Sequence, residues 1–150
     1  MPTISQLRKI APNLSLVKAV VLVPKLNSAM RKYGIVGKLR EAAFIAQLCH
    51  ESGEFRYSEE IASGERYEGR LDLGNVKTGD GKRFKGRGYI QITGRANYAE
   101  CGKALGYDLL KNPELLSQIG LGCLSAAWYW HSRGLNQLAD HKRFTEITRK

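Results

Sequence analysis

The sequence predicts a mainly α-helical single domain over residues 1–150, with a loop-rich middle and a short extended segment flanking a cleft. Four observations predict it. The length, 150 residues, suits one core of the common size, roughly 100–200 residues. Hydrophobic residues make up 43%, enough to fill that core and unlike a disordered or fibrous chain. Helix formers with apolar spacing occupy the first third and return in the last. Half of the sixteen glycines fall between residues 52 and 88.

The elements follow in order. Ser5 is expected to cap a short first turn and Asn13 or Ser15 a second segment, which Pro24 should kink or divide. From Gly37 the run Lys38 to Glu51 has strong helix formers, with apolar residues on most faces after Glu41. Ser52-Gly53 ends it, placing His50 and Glu51 at the C-terminal end of a buried helix. Residues 52–88 read as irregular chain, with Gly74-Asn75 and Gly79-Asp80-Gly81 as turns. Loops of about 35 residues are uncommon in compact domains and tend to carry function. In Tyr89-Ile90-Gln91-Ile92-Thr93 the two isoleucines alternate with Tyr89, Gln91 and Thr93, which predicts an extended segment sending the polar-capable trio to one face. Ala96 to Leu105 is helical and closed by Gly106. Asn112-Pro113 starts the next helical stretch as cap and first-turn proline. Leu121 to Arg133, ended by Gly134, is strongly apolar; Trp128 and Trp130 lie two apart, so at least one belongs to the core.

Twenty-four Lys and Arg against fourteen Asp and Glu give a net charge of +10, which favours polyanionic partners without naming a reaction. Cys49, Cys101 and Cys123 form no CxxC pair, so a disulfide framework and a four-thiolate zinc site are both excluded; reduced, mostly buried thiols are expected. Met1 to Ile10 lacks the order of a signal peptide, and Leu14 to Val23 is about half of a membrane span. Synthesis in the cytoplasm without membrane insertion is the expectation.

An acidic stretch, Glu51 to Glu68, precedes a basic one, Lys82 to Arg95. Opposed in space, they would make a polar cleft. Glu51, on an apolar helix, is expected to hold its proton because a bare carboxylate is costly there. Glu60, nine residues on in the loop, would stay ionised among water and bases. One protonated and one ionised carboxyl across a groove suits acid-assisted glycosidic cleavage. A glutamate at a helix end is, on spacing alone, more often a surface residue. No third glycine completes Gly86-Arg87-Gly88 as a dinucleotide loop, and neither a GxxxxGK nor a GxSxG pattern occurs. His50, His131 and His141 show no metal-ligand spacing, so no metal or cofactor is expected.

Three blocks carry a resemblance. His50-Glu51-Ser52-Gly53-Glu54-Phe55 with Glu60, then Tyr67-Glu68-Gly69-Arg70 with Leu73-Gly74-Asn75, then Gly86 to Tyr98 resemble the glycoside hydrolase family 19 chitinases, in particular the bacteriophage and prophage endolysin branch. The likeness covers roughly residues 35 to 150. It implies a lysozyme-like fold with Glu51 as general acid and Glu60 as general base. Thr93 then helps hold the attacking water, and Gln91 and Asn97 bind sugar. His50, Tyr67 and Arg87 are implied as substrate-side neighbours that shape the site. Inversion at the anomeric carbon is implied, with about 6.5–9.5 Å between the carboxyl groups.

The implied substrate is the β-1,4-linked glycan of peptidoglycan, on an anionic wall that also accounts for the charge; the alternative is chitin. A monomer made in the host cytoplasm and acting on the wall after release fits this reading. The chain stops where relatives are expected to continue into an Asn/Gly-rich segment and a further helix, so the catalytic domain is expected to lack that C-terminal piece. Two readings from other classes stay open: a basic nucleic-acid-binding protein, with Tyr89 and Tyr98 stacking on bases, and an inactive wall-binding module.

Overall fold

Local capping sets the helix order in the computed structural model, which describes residues 1–149. Helix α1 (Ile4–Ile10) starts from Thr3, not Ser5: the Thr3 hydroxyl accepts from the Gln6 N–H while the Gln6 side chain accepts from the Thr3 N–H. This reciprocal arrangement satisfies two donors that a serine at position 5 would leave free. Helix α2 (Leu16–Lys32) begins at Ser15, which accepts from the Lys18 N–H. Pro24 lies inside α2 and does not divide it. A proline there removes the bond to the Val20 carbonyl, and both residues are on the exposed side, where water can replace it. Helix α3 (Lys38–Ser52) runs from Gly37 to a left-handed Gly53, as the sequence predicts.

The glycine-rich middle is pinned, irregular chain. It contains two 3-10 turns, Glu65–Tyr67 and Leu71–Leu73, and a one-turn helix α4 (Asp80–Arg83). Helix α5 (Arg95–Leu105) is closed by left-handed Gly106. Pro113–Ser117 is a 3-10 turn with proline at its start, and Asn112 makes no side-chain cap. Helices α6 (Ile119–Ser132), α7 (Leu135–Asp140) and α8 (Phe144–Arg149) complete the order.

Residues 89–93 are not extended. Arg87 and Ile92 exchange both backbone hydrogen bonds, 3.1 and 2.9 Å, around a tight turn. Gly88 and Gln91 take positive φ, 79° and 60°. The alternation therefore does not sort the side chains into two faces: Tyr89 is fully buried, its ring edge-on to Phe55 at 5.4 Å, and Ile92 is buried beside it in sequence but in a different cluster.

Two apolar clusters meet on α6. The larger takes Leu7 from α1, Leu22, Leu26 and Met30 from α2, Phe44 and Leu48 from α3, and Cys123, Ala126 and Trp130 from α6. The smaller gathers Phe84, Ile92, Tyr98, Cys101, Leu109, Leu116 and Trp128. Both tryptophans are thus core residues on opposite flanks of one helix. The three cysteines are free, and burial pushes the Cys101 and Cys123 thiols up to about 12 and Cys49 to about 11.

Trp130 Nε1 donates to Asn136 Oδ1 at 2.9 Å, and Asn136 Nδ2 donates to the Tyr33 carbonyl at 3.1 Å. This joins α6, α7 and the end of α2 through one buried amide. Asn136→Leu leaves an indole N–H and a carbonyl without partners and should cost about 2–3 kcal/mol. Urea unfolding followed by tryptophan fluorescence measures this as a lower midpoint; an unchanged midpoint means the amide contributes nothing.

Candidate active site

Glu60 is placed by a chain reversal and a short backbone ladder. At the end of α3 the buried Ser52 hydroxyl donates to the Leu48 carbonyl and accepts from the Phe55 N–H. Glu54 and Phe55 then take left-handed φ of 59° and 65°, which turns the chain back on itself at a conformational cost. The returning strand pairs with residues 86–88: Gly88 N–H donates to the Ser58 carbonyl at 2.8 Å and Glu60 N–H to the Gly86 carbonyl at 2.9 Å. The Glu60 carboxylate bends to the same segment. Gly86 N–H donates to its Oε1 at 2.6 Å and the Tyr67 hydroxyl to its Oε2 at 3.2 Å. Arg66 in turn donates to the Tyr67 oxygen at 2.6 Å.

Gly86 packs closely against the turn that follows it. A Cβ there would stand 2.7 Å from Gln91 Oε1 and 3.3 Å from Thr93 Oγ1, so both side chains press on the residue that binds Glu60. Gln91 Nε2 donates to the Gly88 carbonyl, Thr93 Oγ1 to the Gln91 carbonyl, and Asn97 Nδ2 to the Thr93 carbonyl. Glu60, Tyr67, Gly86, Gln91, Thr93 and Asn97 thus form one connected, half-buried group. Gln91 and Thr93 meet through a turn and not, as the alternation predicts, along one face of a strand.

Arg87 is committed to the protein. Its guanidinium is buried and donates to Glu59, the Arg83 carbonyl and the Tyr98 hydroxyl. Burial would raise the Glu59 carboxyl, but the Arg87 hydrogen bond and the Lys85 and Arg87 charges outweigh it and hold Glu59 below the usual carboxylate range. A fixed negative charge therefore sits next to Glu60.

Glu51 departs from expectation. It is exposed on the last turn of α3 and accepts from Gln47 Nε2 at 3.1 Å, so the apolar burial expected to retain its proton is missing. Phe44, Ile45 and Leu48 face inward on α3, and Glu51 falls at the edge of that face on the last turn of the helix, where it is exposed. It borders a recess of about 210 Å³ lined by Gln47, Ile90, Tyr129, Leu135, Ile147 and Thr148. Ile90 belongs to the same turn as Gln91, so the two carboxylates flank one turn. His50 borders a separate groove between α3 and α8, with Ala43, Ala46, Phe144 and Ile147. Among the described residues no His, Cys, Asp and Glu group is placed to hold a metal ion.

Three supporting residues were not singled out as functional by sequence reasoning. Asn75, 1% exposed, donates to the Tyr67 carbonyl at 2.9 Å and accepts from the Arg95 N–H at 2.8 Å. Glu68 accepts from the Gly79 and Gly81 N–H groups, which keep its carboxyl below the usual range. Asp80 takes two 2.8 Å bonds from Arg95. Asn75 and Asp80 are buried polar residues in a glycine-rich stretch, which only structure separates from exposed turn residues, and Glu68, itself exposed, is picked out only by the two backbone N–H groups it accepts.

The Arg95 hydrogen bond holds Asp80 below its ordinary value of 3.8, against the opposing effect of burial. Folded Asp80 therefore binds a proton less readily than unfolded Asp80. The stability it contributes is complete above about pH 4 and drains away as pH falls through the lower folded value. Asp80→Asn should cost about 3 kcal/mol at neutral pH, because Arg95 loses its partner, and the loss should shrink below about pH 4. Thermal unfolding of both proteins across that range tests it; a constant difference rules the linkage out.

Comparison with known proteins places this geometry. A family model described as chitinase class I matches residues 33–146. A glycosyl hydrolase family 19 domain-containing protein of Haemophilus influenzae is 31% identical over 151 residues, covering 80% of this chain and 75% of its own. An endochitinase of Arabidopsis thaliana is 43% identical over 101 residues, covering 65% of this chain and 34% of its own. Chitinase C from Streptomyces griseus superposes with a TM-score of 0.68 at 25% identity, covering 85% of this chain and 65% of that one. The chain thus spans about a third of the plant enzyme and under two-thirds of the solved bacterial one. The mainly helical, lysozyme-like fold is shared. With the match extending across both the α3 glutamate and the Glu60 cluster, the chain belongs to glycoside hydrolase family 19.

Proposed function

We propose that this chain hydrolyses β-1,4 bonds of peptidoglycan as an endolysin, by inversion, with Glu51 as the general acid and Glu60 as the general base. The observation that carries the reading is the Glu60 carboxylate, fixed by the Gly86 N–H and the Tyr67 hydroxyl beside Gln91 and Thr93. Each Glu60 oxygen keeps a lone pair for a water molecule. Glu51 gives its proton to the glycosidic oxygen as the bond to the anomeric carbon breaks. Water attacks that carbon from the other side and passes a proton to Glu60. Glu51 meets its substrate exposed, so the sugar itself must exclude water from the apolar recess of Ile90, Leu135 and Ile147.

The charge of +10 favours an anionic wall polymer over neutral chitin. The similarity to a plant endochitinase and to Streptomyces chitinase C favours chitin as the second reading. The enzyme works as a monomer, made in the host cytoplasm and reaching the wall after release by another component. Arg87 shapes the site in this scheme by anchoring the Glu59–Arg87 segment, Asn97 positions Thr93, and His50, on the neighbouring groove, would contact the glycan only where it runs past the Glu51 recess.

Glu60→Gln and Glu51→Gln should each lower turnover by about a hundredfold or more, and Tyr67→Phe by about tenfold. Clearing of purified wall and release of chitin oligosaccharides are read in parallel. Mass spectrometry of the new reducing ends then identifies the linkage. Equal clearing by Glu60→Gln and the parent protein removes the two-carboxylate mechanism, and cleavage of chitin alone replaces the wall reading with the second one.

A further inference from the structure

The net charge is not spread over the molecule. Residues 1–40 contain eight Lys and Arg and no acid, whereas the other 110 residues hold sixteen bases and fourteen acids. Nearly all of the excess thus lies on the α1–α2 hairpin and the start of α3. Lys18 and Arg40 spend their charges inside the molecule, on the Phe55 carbonyl and on Asp140. Arg8, Lys9, Lys25, Arg31, Lys32 and Lys38 are exposed.

The same hairpin carries an exposed aliphatic row. On α2, Leu16, Val17, Val20 and Val21 are 53%, 81%, 51% and 45% exposed. Their spacing places them on one side of the first two turns, continued by exposed Pro24. Two turns later that side becomes Lys25, Ser28, Arg31 and Lys32. Recesses of mixed character flank the row. One, of about 570 Å³, sets Arg8 and Lys9 beside Ile4, Pro12 and Leu16. The other, of about 760 Å³, sets Lys25 beside Val21, Tyr107, Leu115 and Leu124.

We infer that this hairpin face seats the protein on an anionic phospholipid bilayer, with the α2 valines in the acyl boundary and the flanking cations on lipid phosphates. A contiguous aliphatic row on a surface helix marks a contact surface, and aliphatics bordered by cations match an interfacial helix lying in the membrane plane. No helix among the described residues is long and apolar enough to cross a membrane, and α2 does not span it. A purely polyanionic partner such as a wall polymer uses the cations but leaves the valines in water. A second copy covers the valines but sets one acid-free hairpin against another, which like-charge repulsion opposes. Residues 1–32 also lie outside the matched family region.

Flotation of the full chain with vesicles of phosphatidylglycerol and phosphatidylcholine in equal parts tests this, with pure phosphatidylcholine vesicles alongside. Binding to the anionic vesicles and about tenfold less to the neutral ones is expected. Val17→Asp and Val20→Asp should each weaken anionic-vesicle binding by about tenfold. Val17 is the second residue of α2, where an acid complements the helix dipole, so Val17→Asp keeps the fold, as circular dichroism and unchanged activity on a small soluble glycan will show. Equal binding by the valine variants overturns the inference in favour of charge alone. Absence of vesicle binding overturns it, and so does a dimer in gel filtration that Val17→Asp dissolves, which assigns the row to self-association.

Discussion

A carboxylate that is to take a proton from water must be held in place by something other than water. Here the holder is a backbone N–H, that of Gly86, 2.6 Å from Glu60 Oε1. Most of the site's architecture serves that contact. The ladder between residues 58–60 and 86–88 brings the two together, and Arg87 locks the ladder into the second core by reaching Tyr98. Asn75 ties the Tyr67 backbone to the first residue of α5, so the second oxygen of Glu60 is aligned from a different element. A Cβ on Gly86 would meet Gln91 Oε1 at 2.7 Å, so the end of the Gln91 side chain packs directly against the residue that binds Glu60.

The helices were legible because their ends are written locally. Gly37 and Gly53 bound α3, Gly106 closes α5, and Ser15 caps α2. Thr3 was missed because Ser5 is an equally good cap in isolation, and only the partner three residues on, Gln6, distinguishes them. The alternation at residues 89–93 was misread because five residues of period two do not exclude a tight turn; the positive φ of Gln91, a non-glycine residue, is invisible in composition. Glu51 and Glu60 were singled out as a pair through motif resemblance. The burial expected of Glu51 is absent, because the average apolarity of a helix says nothing about whether other elements cover its last turn.

Backbone strain collects around the same centre. Of the four non-glycine residues with positive φ among those described, Glu54, Phe55 and Gln91 lie on the two segments that bracket Glu60. Each such residue costs about 1–3 kcal/mol and persists only where its surroundings insist. Phe55 is fully buried against Tyr89, and Glu54 accepts both the backbone and side-chain N–H groups of Asn13. The reversal is therefore fixed at one end by the core and at the other by the loop that leads into α2.

That second anchor bears on how the hairpin and the site belong together. Lys18 donates to the Phe55 carbonyl at 2.5 Å, so the first turn of α2 and the preceding Asn13 both grip the strained pair. Leu7, Leu22, Leu26 and Met30 fill the same core as Phe44 and Trp130. A segment with those attachments cannot detach as an independent tail, because releasing it would expose half of the main core and free the two residues that aim Glu60. Whatever surface the outer face of α2 engages, it is mechanically continuous with the reversal that positions Glu60. The charge asymmetry and the site therefore sit on one rigid body, and orientation of the hairpin fixes orientation of the Glu60 cluster.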